Sequence, residues 1–217
     1  MTRTPICAAI LAILAFPTLT SAAQAQVAAA VIDNDHVTVR DILLEPGKPG
    51  PALDHAGDYA ILYPQGGRIR GSDGKVTVRA VDGAFYGHGG TTSDTVLDAP
   101  VHEILVDLKD APSGSVANTS GLPAAFPRPG VKKVFENDRV IVWNYTWLPG
   151  KPTPMHFHDK NVVVVYHGDG PLKSVAPDGT TVVNSYKAGE IRFNLANRAH
   201  TEELMSGAQS GIMLELK

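Results

Sequence analysis

The stretch VIDNDHVTVRDILLEPGKPGPALDH, residues 31–55, lies over VFENDRVIVWNYTWLPGKPTPMHFH, residues 134–158, at a constant offset of 103. Eleven positions are identical without a gap: Val31/Val134, Asn34/Asn137, Asp35/Asp138, Val37/Val140, Val39/Val142, Pro46/Pro149, Gly47/Gly150, Lys48/Lys151, Pro49/Pro152, Pro51/Pro154 and His55/His158. Chance does not hold that many identities in one window, so the chain carries two copies of one unit. With small gaps the match runs on. Asp73-Gly74 pairs with Asp178-Gly179, Gly83 with Gly189, and ILVDLK (104–109) with IMLELK (212–217).

Each copy is a series of short apolar runs, such as KVTVRAV, RVIVWNYTWL and NVVVVY, with an Asp-Gly hairpin signal and a closing strand. The 21 glycines and 16 prolines supply many turns, and no convincing amphipathic helix is present. The fold class is therefore all-β, and physics alone leaves a jelly-roll barrel and a small sandwich open. The copies occupy residues 26–110 and 132–217. Residues 111–131, rich in Pro, Gly, Ser and Ala, read as a linker.

Residues 1–25 read as a signal peptide: Arg3, a short apolar core ICAAILAILAF, and AQA at the cleavage point. The expected location is periplasmic or secreted. The one cysteine, Cys7, lies inside that apolar core, so the exported chain would have no disulfide and depend on its packed core. No other apolar run is long enough for a membrane helix. A net charge of −3 with both signs dispersed, and no basic stripe, argues against nucleic acid as a partner.

The second copy continues into PGKPTPMHFHDKN, residues 149–161. On a strand, residues i and i+2 share a face, so His156 and His158 would project together with Phe157 opposite. Two neutral imidazoles so placed can converge on one metal. The prolines and glycine before them stiffen the approach. A His-x-His pair alone is weak evidence, because eight histidines would produce roughly 0.3 such pairs by chance. A third histidine, His200, follows a further glycine, Gly189.

Gly150, five residues, His156, Phe157, His158 resembles the first motif of the cupin superfamily, and Gly189 with His200 matches part of the second. The resemblance implies two tandem jelly-roll barrels, a bicupin. It also implies that His156, His158 and His200 are metal ligands. Asn161 falls where the family has a glutamate, which makes it a weak fourth ligand. Leu195, Asn197 and Leu204 replace the Pro, Gly and Asn of the second motif. By the same mapping the first copy offers Leu53, His55, Asp58 and Asp94. Leu53 removes a central ligand, so this copy is expected to be a metal-free scaffold. The alternative is a metal-free pocket built on His55 and Asp58.

The implied cofactor is a divalent ion: Fe, Mn, Ni, Cu or Zn. The implied function is an exported metal-dependent enzyme, dioxygenase or isomerase-like, on a small polar or anionic substrate. The alternative is a non-catalytic periplasmic protein that binds a small ligand or a metal. Either form would be a monomer or a dimer.

Other residues are given blander roles. His167 shares a strand face with Asn161 and could approach the metal, but strand-end exposure is the simpler reading. Glu202 and Glu203 read as solvated charges, one of which could orient His200. His88 reads as a loop residue, and His36 and His102 carry no pattern. Trp143, Tyr145 and Trp147 share one face and read as packing.

Overall fold

The computed structural model describes residues 28–110 and 115–217; the expected signal peptide lies outside them. The described residues form strands and no helix. The first repeat contains β1 (Ala30–Asp33), β2 (Val37–Leu44), β3 (Leu53–Gln65), β4 (Gly67–Arg70), β5 (Val76–Arg79), β6 (Gly83–Thr92), β7 (Thr95–Val96) and β8 (Val101–Leu108). The second contains β9 (Val131–Glu136), β10 (Val140–Trp147), β11 (His156–His158), β12 (Val162–Tyr166), β13 (Gly170–Val175), β14 (Thr181–Tyr186), β15 (Ile191–Asn194), β16 (Arg198–Leu204) and β17 (Gln209–Leu216). Each repeat makes a five-stranded sheet, β1-β2-β8-β3-β6 or β15-β12-β17-β10-β9, and a smaller one, β5-β4-β7 or β11-β16-β13-β14. The architecture is two tandem jelly-roll barrels.

The period-2 alternation of strand side chains explains why the central strands are apolar on both faces. Val37, Val39, Ala60, Leu62, Ile104 and Val106 of the first repeat pack with Val140, Val142, Val163, Val165, Ile212 and Leu214 of the second in one buried core. The five-stranded sheets thus cover one another within a single chain. Alternate residues turn into their own barrel: Tyr59, Ile61 and Leu105 in the first, Ile141, Trp143, Val162, Val164 and Met213 in the second.

The repeated identities have local causes. The Asn34 side chain accepts from the backbone N–H groups of His36 and Val37 at 2.9 and 3.0 Å, and Asn137 does the same for Arg139 and Val140 at 2.9 Å each. The closing lysines complete those turns: Lys109 donates to the carbonyl of Asn34, and Lys217 to that of Asn137. Gly47 and Gly150 both adopt left-handed φ, +72° and +69°, which favours glycine.

The structure shifts one part of the sequence alignment. The carbonyl of Tyr63 accepts from Asp82 N–H, and that of Tyr166 from Gly189 N–H, each at 2.8 Å. Asp82 and Gly189 both have positive φ, 57° and 81°. Gly189 therefore corresponds to Asp82, not Gly83; aspartate tolerates this conformation better than most side chains.

The expected linker is also corrected. Its second part belongs to the second barrel. Phe157 N–H donates to Pro123 O at 2.9 Å, Ala125 N–H donates to Phe157 O at 2.8 Å, and Ala125 and Phe126 are buried. The segment extends the β11 edge and carries Arg128 inward.

Candidate metal centre

Strands β11 and β16 pair antiparallel with His156 directly opposite His200. Both rings, with that of His158, turn into the barrel. The Nε2 atoms of His156 and His158 are 3.2 Å apart, as are those of His158 and His200. Among the described residues, this is the trio of His, Cys, Asp or Glu whose ligand atoms all lie within 4.8 Å of one another.

A hydrogen bond on the far side of the ring sets the tautomer of His156. His156 Nδ1–H donates to Pro154 O at 2.8 Å, which leaves the Nε2 lone pair facing inward. His200 Nδ1 lies 3.0 Å from Ser174 Oγ. His158 Nδ1 is buried without a partner.

Burial, reinforced by Arg128, pulls the His156 pKa down to about 4. Burial also depresses His158 and His200, with Arg198 adding to the effect. Three neutral imidazoles suit a metal. At metal–nitrogen bonds of about 2.1 Å, a 3.2 Å separation subtends roughly 100° at the ion, between octahedral and tetrahedral. The donor set therefore fits a borderline divalent ion.

Depressed histidines also set a pH dependence. Their unfolded pKa is about 6.5, so below that pH the unfolded chain binds more protons than the folded one. Stability of the metal-free protein should be full above pH 6.5 and fall as pH drops toward 4, where His156 protonates. Chemical denaturation at stepped pH would measure this, and a flat profile between those values would contradict it.

Three residues around the histidines went unrecognised or were misread in the sequence. The Arg128 side chain is buried, with Nη1 2.9 Å from His156 Nε2, Nη2 3.7 Å from Glu202, and its guanidinium over Tyr145 and Phe126. Glu202, expected as a solvated charge, faces the barrel interior: it accepts from Trp147 Nε1 at 3.0 Å and lies 3.8 Å from His200 Nε2. Burial opposes its ionisation, but His200 and His156 when protonated, together with the permanently charged Arg128, outweigh this and hold its pKa below the usual value. Arg198 lines the same cavity, which is about 20 Å³ and also bounded by Trp147, Tyr166 and Met213.

The same-face rule marks Glu202, two residues after His200 on β16. Arg128 had no such signal, because its segment carries no strand pattern. Trp143 and Trp147 are core residues as expected, although the Trp147 indole also holds Glu202.

Asn161 is corrected. It stands in register with Val163 and Val165, the face turned toward the first repeat, and its Oδ1 accepts from Ala196 N–H at 2.7 Å. It anchors the turn into β16 and does not face the three imidazoles. His167 lies on that same side, 3.3 Å from Asp82 of the first repeat. Glu203 pairs with Lys173, His88 with Asp58, and His102 with Asp41; His36 stacks on Phe193.

The first repeat does not gather its candidates. Leu53 opposes Thr92 on β6 as His156 opposes His200, so Thr92, not Asp94, takes the third histidine's place. The Gly50 N–H donates to Asp94 O as Thr153 N–H does to Glu202 O, making Asp94 the counterpart of Glu202. His55 has both nitrogens engaged, Nδ1 with Asp107 at 2.6 Å and Nε2 with Thr92 at 2.9 Å, and its ring stacks on Tyr59. Asp58 instead accepts from Tyr86, His88 and Arg139. Among the described residues, His55 and Asp58 thus have separate sets of hydrogen-bond partners.

Neither a protein-family model nor a curated protein sequence matches the chain. Solved structures do. A cupin 2 conserved barrel domain protein from Leptotrichia buccalis matches with a TM-score of 0.54 at 14% identity, over 88% of each chain. Oxalate decarboxylase from Bacillus subtilis, a protein with Mn(II) centres, matches with a TM-score of 0.57 at 14% identity, over 84% of this chain and 68% of its own. The chain has the cupin fold in its two-barrel form.

Proposed function

We propose that the chain is a metal-dependent cupin enzyme acting on a small anionic substrate in its second barrel. The observation that carries this reading is the convergence of the three Nε2 atoms at 3.2 Å spacings. His156, His158 and His200 would hold a divalent ion, which supplies Lewis acidity and, where redox-active, a route to oxygen chemistry.

The protein's own charges select the ligand. Arg128 and Arg198 face the site with Glu202 as the counter-charge, leaving an excess of one positive charge before any metal binds. A carboxylate or enolate-type anion offsets that excess. Arg128 anchors it. Glu202, held ionised by its neighbours and fixed through Thr153 and Trp147, accepts a proton at a carboxylate oxygen. Phe126, Tyr166 and Met213 keep bulk water out. Oxygenation and isomerisation both fit this arrangement, and the decarboxylase neighbour makes small dicarboxylates the first substrates to test. Export through residues 1–25 and a monomeric state, supported by the internal covering of the large sheets, belong to the same proposal.

Elemental analysis of residues 26–217 purified without chelator, followed by turnover assays with oxalate and malonate, tests the reading. Near-stoichiometric metal with turnover supports it. Metal without turnover would favour a binding protein.

Arg128→Gln separates anion from metal. Because Arg128 lies on the His156 lone pair, its loss should leave metal affinity equal or higher. Loss of a charged hydrogen bond should weaken carboxylate binding about 10- to 100-fold. Calorimetric titration of the metal-loaded protein with oxalate would measure this, and unchanged affinity would remove Arg128 from anion recognition.

A further inference from the structure

The first barrel has buried polar groups that its scaffold role does not use. Glu103, on β8, is 5% exposed, and Tyr63, on β3, is 1% exposed; Glu103 Oε1 and the Tyr63 hydroxyl have no hydrogen-bond partner. Arg79 Nε is also unpartnered, and its guanidinium lies over Phe85 at 4.5 Å. Glu103 and Asp94 line a small inner chamber of about 10 Å³, walled by Ile42, Leu44 and Leu53. Ile61, Thr92 and Asp94 also line an outer cavity of about 330 Å³, which includes Arg79, Lys75 and Phe85. The two spaces thus adjoin through Asp94, with Glu103 at the inner end and Arg79 in the outer cavity, where Lys75 pairs with Asp73.

We propose that this cavity binds a small zwitterionic amino acid, with its ammonium group between Glu103 and Asp94 and its carboxylate on Arg79. The inner chamber is close to the space one water needs, which an ammonium head also matches. A buried acceptor without a partner, as Glu103 Oε1 is, is costly, and a donor such as an ammonium group relieves that cost. Burial, with Asp94 second, pushes the Glu103 pKa up to about 8, in keeping with a chamber short of positive charge. A hard metal ion fits poorly, because the aliphatic walls cannot complete an oxygen shell of six or more. The outer guanidinium then selects an amine that also carries an anion.

Calorimetric titration of the exported-length chain with glycine, β-alanine, 4-aminobutyrate, methylammonium, acetate and glycerol tests this. At least one amino acid should bind, methylammonium more weakly, and acetate and glycerol not at all. Glu103→Gln and Asp94→Asn, both near-isosteric, should each weaken amino-acid binding at least tenfold. Arg79→Gln should weaken it while sparing methylammonium, and His158→Ala should leave it unchanged. No binding by any amino acid or amine, equal binding of acetate, or unchanged affinity in both carboxyl variants would overturn the proposal. Unchanged affinity in Arg79→Gln, or loss in His158→Ala, would overturn the assigned orientation or location.

Discussion

His158→Ala is expected to lower metal affinity by about 100- to 1,000-fold while leaving the fold intact. His158 is the middle donor, 3.2 Å from each of the other two Nε2 atoms, so its loss leaves two ligands on opposing strands. Metal binding at a protein site is worth on the order of 10 kcal/mol, and about a third of that corresponds to the stated range. The metal-free fold should lose little. Alanine leaves a cavity, but it also removes a buried ring nitrogen that has no partner. His55→Ala should do the reverse. It breaks two hydrogen bonds and a stacked contact with Tyr59, so stability should fall by about 2–4 kcal/mol with metal content unchanged. Competition with a chromogenic chelator and thermal melts of both variants would separate the two effects. Equal metal loss in both would show that the first repeat shares the site.

The second large effect concerns the joint core. Leu62→Asp places a carboxylate at a fully buried position in the first repeat's share of it. An unpaired buried charge costs about 4 kcal/mol or more, a large part of a domain's 5–15 kcal/mol of stability. Both tryptophans, Trp143 and Trp147, belong to the second barrel, so indole fluorescence reports that barrel alone. The substitution in the first repeat should therefore shift the fluorescence transition of the second. Val183→Asp, on the exposed strand β14, should change stability by less than about 0.5 kcal/mol. A normal second-barrel transition in Leu62→Asp would mean that the repeats fold independently.

The repeat made the fold readable, because identities such as Asn34/Asn137 and Gly47/Gly150 fall where turns need those residues. The His-x-His pair was readable for the same reason: strand parity puts both rings on one face. Parity applied one strand further would have found Glu202 beside His200. It would also have set Asn161 apart from the histidines had the inward face of β12 been known, but NVVVVY is apolar on both faces and offers no choice. Arg128 was hidden because its Pro-rich segment looks like a linker, and only the backbone bonds to Phe157 show it to be barrel wall. The Gly83 and Asp94 correspondences failed because identity and residue type guided them, whereas hydrogen-bond register decides which positions are equivalent.

X-ray absorption of the protein loaded with one equivalent of Mn, Fe or Zn decides whether the three histidines bind one ion. Three imidazole nitrogens at about 2.0–2.2 Å are expected, with the imidazole signal lost in a variant lacking His156, His158 and His200. A shell of oxygen donors, or an imidazole signal that survives all three substitutions, would contradict it.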